Sequence, residues 1–81
     1  MMTVEQREDY VKLLGRKLEG ARGMIRDARS DERRKLIEQK QNKTVSETQY
    51  NLEETQLQKL TDEYIAKLEE VARKKEIEIR A

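Results

Sequence analysis

Four arginines at helical spacing are the residues of this chain best suited to binding an anion. Arg22, Arg26, Arg29 and Arg33 follow one another at steps of four, three and four residues. At about 100° per residue, these positions fall within about 60° of each other on one side of a helix. A guanidinium group keeps its charge at any working pH and presents paired donors that match a phosphate. The stripe predicts either a surface for phosphate groups or a solvated helix face whose arginines contact neighbouring acids.

The same helix carries an apolar face beside the arginines. Its members recur at steps of three and four residues, and they are Val11, Leu14, Leu18, Ala21, Ile25 and Ala28. This spacing is typical of the buried face of an amphipathic helix. The centre of the arginine stripe is turned by only about 80° from the centre of the apolar face. The arginines are therefore expected to flank the packing surface of the helix.

The residue types exclude most enzyme chemistry. The chain has no histidine and no cysteine, and it has no glycine-rich phosphate loop. Its acids are spread along helix faces, so neither a catalytic pocket nor a metal or cofactor site is predicted. No apolar run approaches the roughly 18 residues of a membrane span. The charged N-terminal segment does not resemble a signal peptide, so the sequence predicts a cytoplasmic protein without membrane contact.

Composition favours one all-α domain over residues 1–81. Charged residues make up 43% of the chain and hydrophobic residues 35%, with no proline, a profile that fits long solvated helices. Residues 1–43 hold 12 Lys/Arg and 8 Asp/Glu, net +4, whereas residues 44–81 hold 6 and 9, net −3. This division predicts either two helices that attract each other or one face that binds an anion.

Two helix-start signals divide the chain into a hairpin. Thr3 and Gln6 form a capping box before a helix of about residues 4–41. Asn42 is a plausible C′ residue, the first residue after the helix cap, in a turn of about residues 42–46. Ser46 and Gln49 form a second capping box before a helix of about residues 47–80. Because the turn is short, the helices must run antiparallel.

The second helix has a wide apolar stripe. We expect Leu14, Leu18, Ala21 and Ile25 of the first helix to face Leu57, Leu60, Tyr64, Leu68 and Val71 of the second. Ile65, Ala72 and Ile79 widen the stripe beyond what a single neighbouring helix covers. The hairpin is therefore expected to complete a three- or four-helix bundle by association, most simply as a homo-oligomer such as a dimer.

The sequence also resembles the ribosome recycling factor family, specifically the last two helices of its three-helix domain. The segments that carry the resemblance are Gln58-Lys59-Leu60-Thr61-Asp62, Tyr64-Ile65-Ala66-Lys67-Leu68, Lys75-Glu76-Ile77-Glu78 and the Val45-Ser46-Glu47 turn. The resemblance covers roughly residues 3–80 and implies a role in the disassembly of post-termination ribosomes. Two arginines, Arg26 and Arg29, match family positions, and the resemblance implies that they contact large-subunit ribosomal RNA. Ser30 and Glu32 depart from the family pattern.

Two parts of the family are not seen in this sequence. No helix precedes Thr3, and no β-rich segment interrupts the chain. The resemblance places the contact with elongation factor G in that β-rich domain, so it gives little support for such a contact here. The alternative interpretation is a trimmed or engineered helical scaffold, a self-associating coiled-coil hairpin without recycling activity.

Overall fold

Two long α-helices make up this chain. The computed structural model describes residues 1–81, with α1 spanning Val4–Gln41 and α2 spanning Glu47–Arg80. The helices pack antiparallel along their length, and the hairpin measures 61 × 15 × 10 Å. The all-α helical hairpin predicted from the sequence is confirmed. Neither helix is both long enough and apolar enough to cross a membrane.

Side-chain caps fix where both helices begin. The Thr3 hydroxyl accepts a hydrogen bond from the Gln6 N–H at 3.0 Å, and the Thr3 N–H donates to Gln6 Oε1 at 2.9 Å. The predicted capping box is thus complete at α1. At α2 only half of the predicted box forms. Ser46 Oγ accepts from the Gln49 N–H at 3.1 Å, but the Gln49 amide donates to Glu53 Oε1 at 3.0 Å.

The end of α1 is closed by backbone hydrogen bonds. The Thr44 N–H donates to the Gln39 carbonyl at 2.9 Å and the Lys43 N–H donates to the Lys40 carbonyl at 3.1 Å. This is the Schellman arrangement, in which the first residue after the cap takes a left-handed conformation. That residue is Lys43, with φ of 59°, and Asn42 occupies the cap position before it. The predicted helix end at about residue 41 agrees with α1, but Asn42, predicted as the first residue after the cap, is the cap itself.

The contact between the helices follows a narrow line on α2. Residues on this line recur at steps of three and four, and they are Tyr50, Glu54, Leu57, Thr61, Ile65, Leu68, Ala72, Glu76 and Ile79. Three residues of the whole chain are buried, namely Tyr50, Thr61 and Ala72. The Thr61 hydroxyl is satisfied by donating to the Leu57 carbonyl at 2.8 Å. The small side chains of Thr61 and Ala72 therefore lie buried on the strip of α2 that faces α1.

Part of the predicted packing face is wrong. Leu57 and Leu68 are half-buried against α1, but Leu60, Tyr64 and Val71 are 50%, 57% and 65% exposed. These three residues are turned by about 60–100° from the contact line of α2. Because α1 can cover only one strip of a wide apolar stripe, the rest of the stripe stays open on one flank of the hairpin.

The two flanks of the hairpin differ in chemistry. One flank, here called the polar side, carries ion pairs between the helices. There Arg22 and Arg33 of α1 each pair with an acid of α2, and Glu8 of α1 pairs with an arginine of α2. The opposite flank, here called the apolar side, carries Leu60, Tyr64 and Val71 together with small residues of α1 such as Ala28. The four arginines that the sequence predicts as a binding stripe all belong to α1, and they lie towards the polar side.

Candidate nucleic-acid interface

The four predicted arginines lie along about 16 Å of α1, the rise of 11 residues in a helix. The helical spacing seen in the sequence is preserved because α1 runs unbroken from Val4 to Gln41. The surroundings of each guanidinium group nevertheless differ. Their partners determine which groups are free to receive a phosphate.

Arg22 joins the two helices. Its Nε and Nη2 both donate to Glu69 Oε1, at 3.1 and 2.8 Å, and its Nη1 donates to Glu19 Oε2 at 2.9 Å. The Arg22 side chain is 26% exposed. Hydrogen bonds to Glu19 and then to Glu69 raise the pKa of Arg22 above its ordinary value. Most of its donors are therefore used within the hairpin.

Glu19 links two arginines of the stripe. Besides accepting from Arg22, it accepts from Arg26 Nη1 through Oε1 at 3.3 Å. The hydrogen bond from Arg22, followed by that from Arg26, lowers the pKa of Glu19 below its ordinary value of 4.5. Arg26 has this single ion pair and its side chain is 51% exposed. Glu19 thus occupies the kind of position, between two guanidinium groups, that an oxyanion prefers.

Arg33 forms a second bridge between the helices. Its Nη2 lies 2.9 Å from Glu54 Oε1, and the two side chains are 55% and 33% exposed. This pair lies nearer the turn than the Arg22–Glu69 pair, so two of the four arginines tie α1 to α2. A surface ion pair of this kind exchanges readily with solvent, and Arg33 retains a partly accessible charge.

Arg29 has a different environment. It is half-buried and forms no ion pair within 4.0 Å. With Arg33 it lines one wall of an open groove of about 640 Å³, and the other wall carries α2 residues that include Gln58 and Asp62. Asp62 Oδ1 accepts from Gln58 Nε2 at 2.9 Å. A phosphate approaching Arg29 would therefore meet one unpaired guanidinium group and a nearby carboxylate.

The structure divides the arginine stripe into two kinds. Arg22 and Arg33 pair with acids across the hairpin. Arg26 has one ion-pair partner, which lies within α1, and Arg29 has none. Sequence reasoning did not identify Glu69 and Glu54 as the residues that would be paired. The signal was nevertheless present, because the net charges of the two halves of the chain have opposite signs. Attraction between the helices thus uses two of the four arginines of the stripe.

The site offers charge and hydrogen-bond donors. No group of three or more His, Cys, Asp or Glu side chains converges to hold a metal ion. Of the four guanidinium groups along this flank of α1, those of Arg26 and Arg29 form no ion pair with α2, and arginine side chains are common partners of nucleic-acid phosphates. Gly15 also lines the polar side, in a groove shared with Arg22 and Glu69.

Comparisons with known proteins point in one direction. The family model described as "Ribosome recycling factor" matches residues 1–79. The ribosome-recycling factor of Sphingopyxis alaskensis is 40% identical over 78 residues, which cover 96% of this chain and 42% of the relative. The factor of Fusobacterium nucleatum is 35% identical, with 96% and 42% covered. The factor of Methylobacillus flagellatus is 33% identical, with 100% and 44% covered.

The similarity is one of sequence and covers part of the relatives. The chain spans less than half the length of the curated relatives that it matches. No solved structure matches it significantly. The arginine stripe and both helices lie inside the matched range of residues 1–79.

Proposed function

This chain belongs to the ribosome recycling factor family, and we propose that it binds the ribosome and takes part in the disassembly of post-termination ribosomes. The observation that carries the proposal is the family match over residues 1–79, which includes the arginine stripe on the polar side. The protein would act in the cytoplasm by binding and by shape, without catalysing a chemical reaction.

We propose that the contact is made with large-subunit ribosomal RNA through Arg26 and Arg29. Arg26 is 51% exposed and held only by Glu19, and Arg29 has no ion pair. Their guanidinium groups can be turned to phosphate without breaking a bond between the helices. Arginine is suited to this contact because it offers two parallel donors to one phosphate.

Arg22 and Arg33 have a supporting role in this proposal. Their bonds to Glu69 and Glu54 hold α1 and α2 in register, so that Arg26 and Arg29 stay on one flank. They also add positive potential along the stripe, which speeds the approach of a polyanion. We do not assign a contact with elongation factor G to residues 1–81, since the family resemblance places that contact in another domain.

A second candidate function is a self-associating helical scaffold without recycling activity. The specific observation that favours it is the open apolar side, where Leu60, Tyr64 and Val71 are each at least 50% exposed. Arg26 lies on the polar side and Leu60 on the apolar side, and Arg29 lines a groove on each. The two functions can therefore be tested separately.

Sedimentation with purified large ribosomal subunits at two salt concentrations tests the ribosome proposal. The chain should pellet with the subunits at low salt and be released at higher salt, because each neutralised phosphate releases a counterion. Replacing Arg26 and Arg29 together by alanine should weaken binding and flatten the slope of log K against log salt by up to about 2 units.

The matched control is the double variant of Arg16 and Arg34. These two arginines lie on the face of α1 turned away from α2, and replacing them by alanine makes the same change in net charge. This control should bind more tightly than the Arg26/Arg29 variant. An equal loss of affinity in both variants would mean that the effect comes from net charge alone. Failure of the parent to bind at low salt would leave only the scaffold function.

A further inference from the structure

The polar side carries an open groove between the two ion pairs that bridge the helices. The Arg22–Glu69 and Arg33–Glu54 bridges lie about 16 Å apart along α1. The groove, of about 640 Å³, extends from the Arg33–Glu54 bridge towards the other one. The side chains that line it belong to both helices, and most of them are polar. The groove is therefore a feature of the flank opposite to the apolar stripe of α2.

Two opposite charges line this groove without pairing with each other. Arg29 on the α1 wall is half-buried and has no ion pair, and Asp62 on the α2 wall has none either. The register set by the two bridges places Arg29 level with residues 58–62. Asp62 Oδ1 accepts from Gln58 Nε2 at 2.9 Å, whereas Asp62 Oδ2 accepts no hydrogen bond from the chain. A ligand in the groove therefore meets a guanidinium group on one wall and a free carboxylate oxygen on the other.

This pair of walls fits a ligand that carries an anion on one edge and a hydrogen-bond donor on the other. A guanidinium group offers paired donors to a phosphate, and a carboxylate accepts a charge-assisted hydrogen bond from a hydroxyl group. The backbone of RNA has both groups, because its ribose 2′-hydroxyl can donate and lies beside a phosphate. The backbone of DNA has only the phosphate, which the Asp62 charge repels. Asp62 is therefore favourable only to a ligand that donates to it.

We propose that the groove binds a ribose-phosphate unit of RNA, with Arg29 binding the phosphate and Asp62 accepting a hydrogen bond from the ribose 2′-hydroxyl. This inference rests on the proposed binding of ribosomal RNA, and it adds a residue of α2 that distinguishes RNA from DNA. The charges of the two walls orient the strand. Its phosphates lie towards the arginines of α1, and its riboses lie towards the acids of α2.

Arg26 favours a nucleic-acid strand over a small zwitterionic ligand in this groove. It precedes Arg29 by three residues, about 4.5 Å along the axis of α1, and its side chain is 51% exposed. A strand that follows the polar side places a neighbouring phosphate at Arg26 while Arg29 binds the first one. A small ligand that fills the groove would leave Arg26 with Glu19 as its only partner.

Binding of two chemically matched RNA hairpins tests the proposal. One hairpin carries ordinary ribose, and the other carries 2′-fluoro groups, which keep the A-form geometry but cannot donate a hydrogen bond. In fluorescence anisotropy at low salt, the parent should bind the 2′-hydroxyl hairpin about five- to tenfold more tightly. Asp62→Ala should remove this preference. It should bind the 2′-fluoro hairpin at least as tightly as the parent does, because a repelling charge is gone.

Asp27→Ala is the matched control. Asp27 is level with residues 60–64 but lies on the face of α1 turned away from α2, and its replacement makes the same change in net charge. Both variants should fold, because alanine is the most favourable residue inside a helix. The control should keep the preference for the 2′-hydroxyl hairpin.

Three results would overturn the ribose contact. They are equal binding of the two hairpins by the parent, a preference that survives in Asp62→Ala, and failure of the parent to bind either hairpin. Sedimentation with large ribosomal subunits decides the ribosome proposal separately. A parent that sediments with the subunits but does not distinguish the hairpins would retain the proposed function and lose the role of Asp62.

Discussion

Arg22 of α1 and Glu69 of α2, 47 residues apart in the sequence, are joined by two hydrogen bonds to one oxygen. Nε and Nη2 of Arg22 lie 3.1 and 2.8 Å from Glu69 Oε1. Glu19 binds the remaining arm of the same guanidinium group at 2.9 Å. The spacing of Arg22 in the sequence predicts that it is part of an anion-binding stripe. In the structure it also connects the two helices. The core is thin, with three buried residues, so such bonds matter to the register.

The Arg22–Glu69 pair should show coupling in a double-mutant cycle. Arg22→Ala and Glu69→Ala should each lower the melting temperature, and the double variant should lose less than the sum of the two. The control is the Arg34–Asp31 pair, which lies within α1 and has side chains that are 69% and 62% exposed. Its coupling should be smaller, since it joins no second helix. Equal coupling in both pairs would contradict the bridging role.

The two tyrosines of α2 offer a test of the contact line. Tyr50 is 8% exposed and Tyr64 is 57% exposed, and the Lys40 ammonium lies 4.6 Å from the centre of the Tyr50 ring. Tyr50→Ala should reduce the free energy of unfolding by about 3 kcal/mol. Tyr64→Ala should reduce the free energy of unfolding by a smaller amount. Urea unfolding, at protein concentrations low enough to keep the chain monomeric, measures both values. The reverse order would mean that α2 is turned differently against α1.

The glycines of α1 should be replaceable without a clash. A Cβ atom added at Gly15 or Gly20 would have no neighbour within 4 Å. Because glycine is about 1 kcal/mol less favourable than alanine inside a helix, Gly20→Ala should raise the melting temperature by about 4–8 °C. Thermal unfolding followed by circular dichroism measures this. Gly15→Ala should stabilise similarly, and a simultaneous loss of ribosome binding would indicate that RNA approaches the polar side there.

The contribution of Glu19 to stability should depend on pH. Because its pKa is lowered in the folded chain by Arg22 and then Arg26, its stabilisation is fully present above the unfolded pKa of about 4.5. It is lost as the pH falls through the lower folded-state pKa. The difference in melting temperature between the parent and Glu19→Gln should therefore shrink below pH 4.5. A difference that stays constant down to pH 2 would exclude this ion pair as its source.

Glu19 should also compete with RNA for the arginines. It pairs with Arg22 and Arg26 at 2.9 and 3.3 Å, so a phosphate that binds Arg26 competes with it for part of the guanidinium group. Glu19→Gln should raise the affinity for ribosomal RNA by up to about fivefold at low salt. The control is Glu32→Gln, which makes the same change in charge and releases Lys35. An equal gain in both variants would point to net charge.

The sequence alone determined the helices and their direction. Thr3 with Gln6 and Ser46 with Gln49 are local signals, because a cap bonds to backbone groups within one turn. They predicted starts at the residues where α1 and α2 begin. The short turn then left only an antiparallel arrangement. The family resemblance was likewise carried by short segments, and the match over residues 1–79 confirms it.

Only the tertiary structure decided which strip of α2 faces α1. The periodicity of Leu57, Leu60, Tyr64 and Leu68 defines a wide stripe but not its centre, which depends on how closely two particular helices can approach. The small residue Thr61 is buried on the strip that faces α1, whereas the larger side chains of Leu60 and Tyr64 are left exposed on one flank. In the same way, spacing could not separate Arg22 from Arg26. Their difference lies in Glu69, which is brought to Arg22 by the packing of α2.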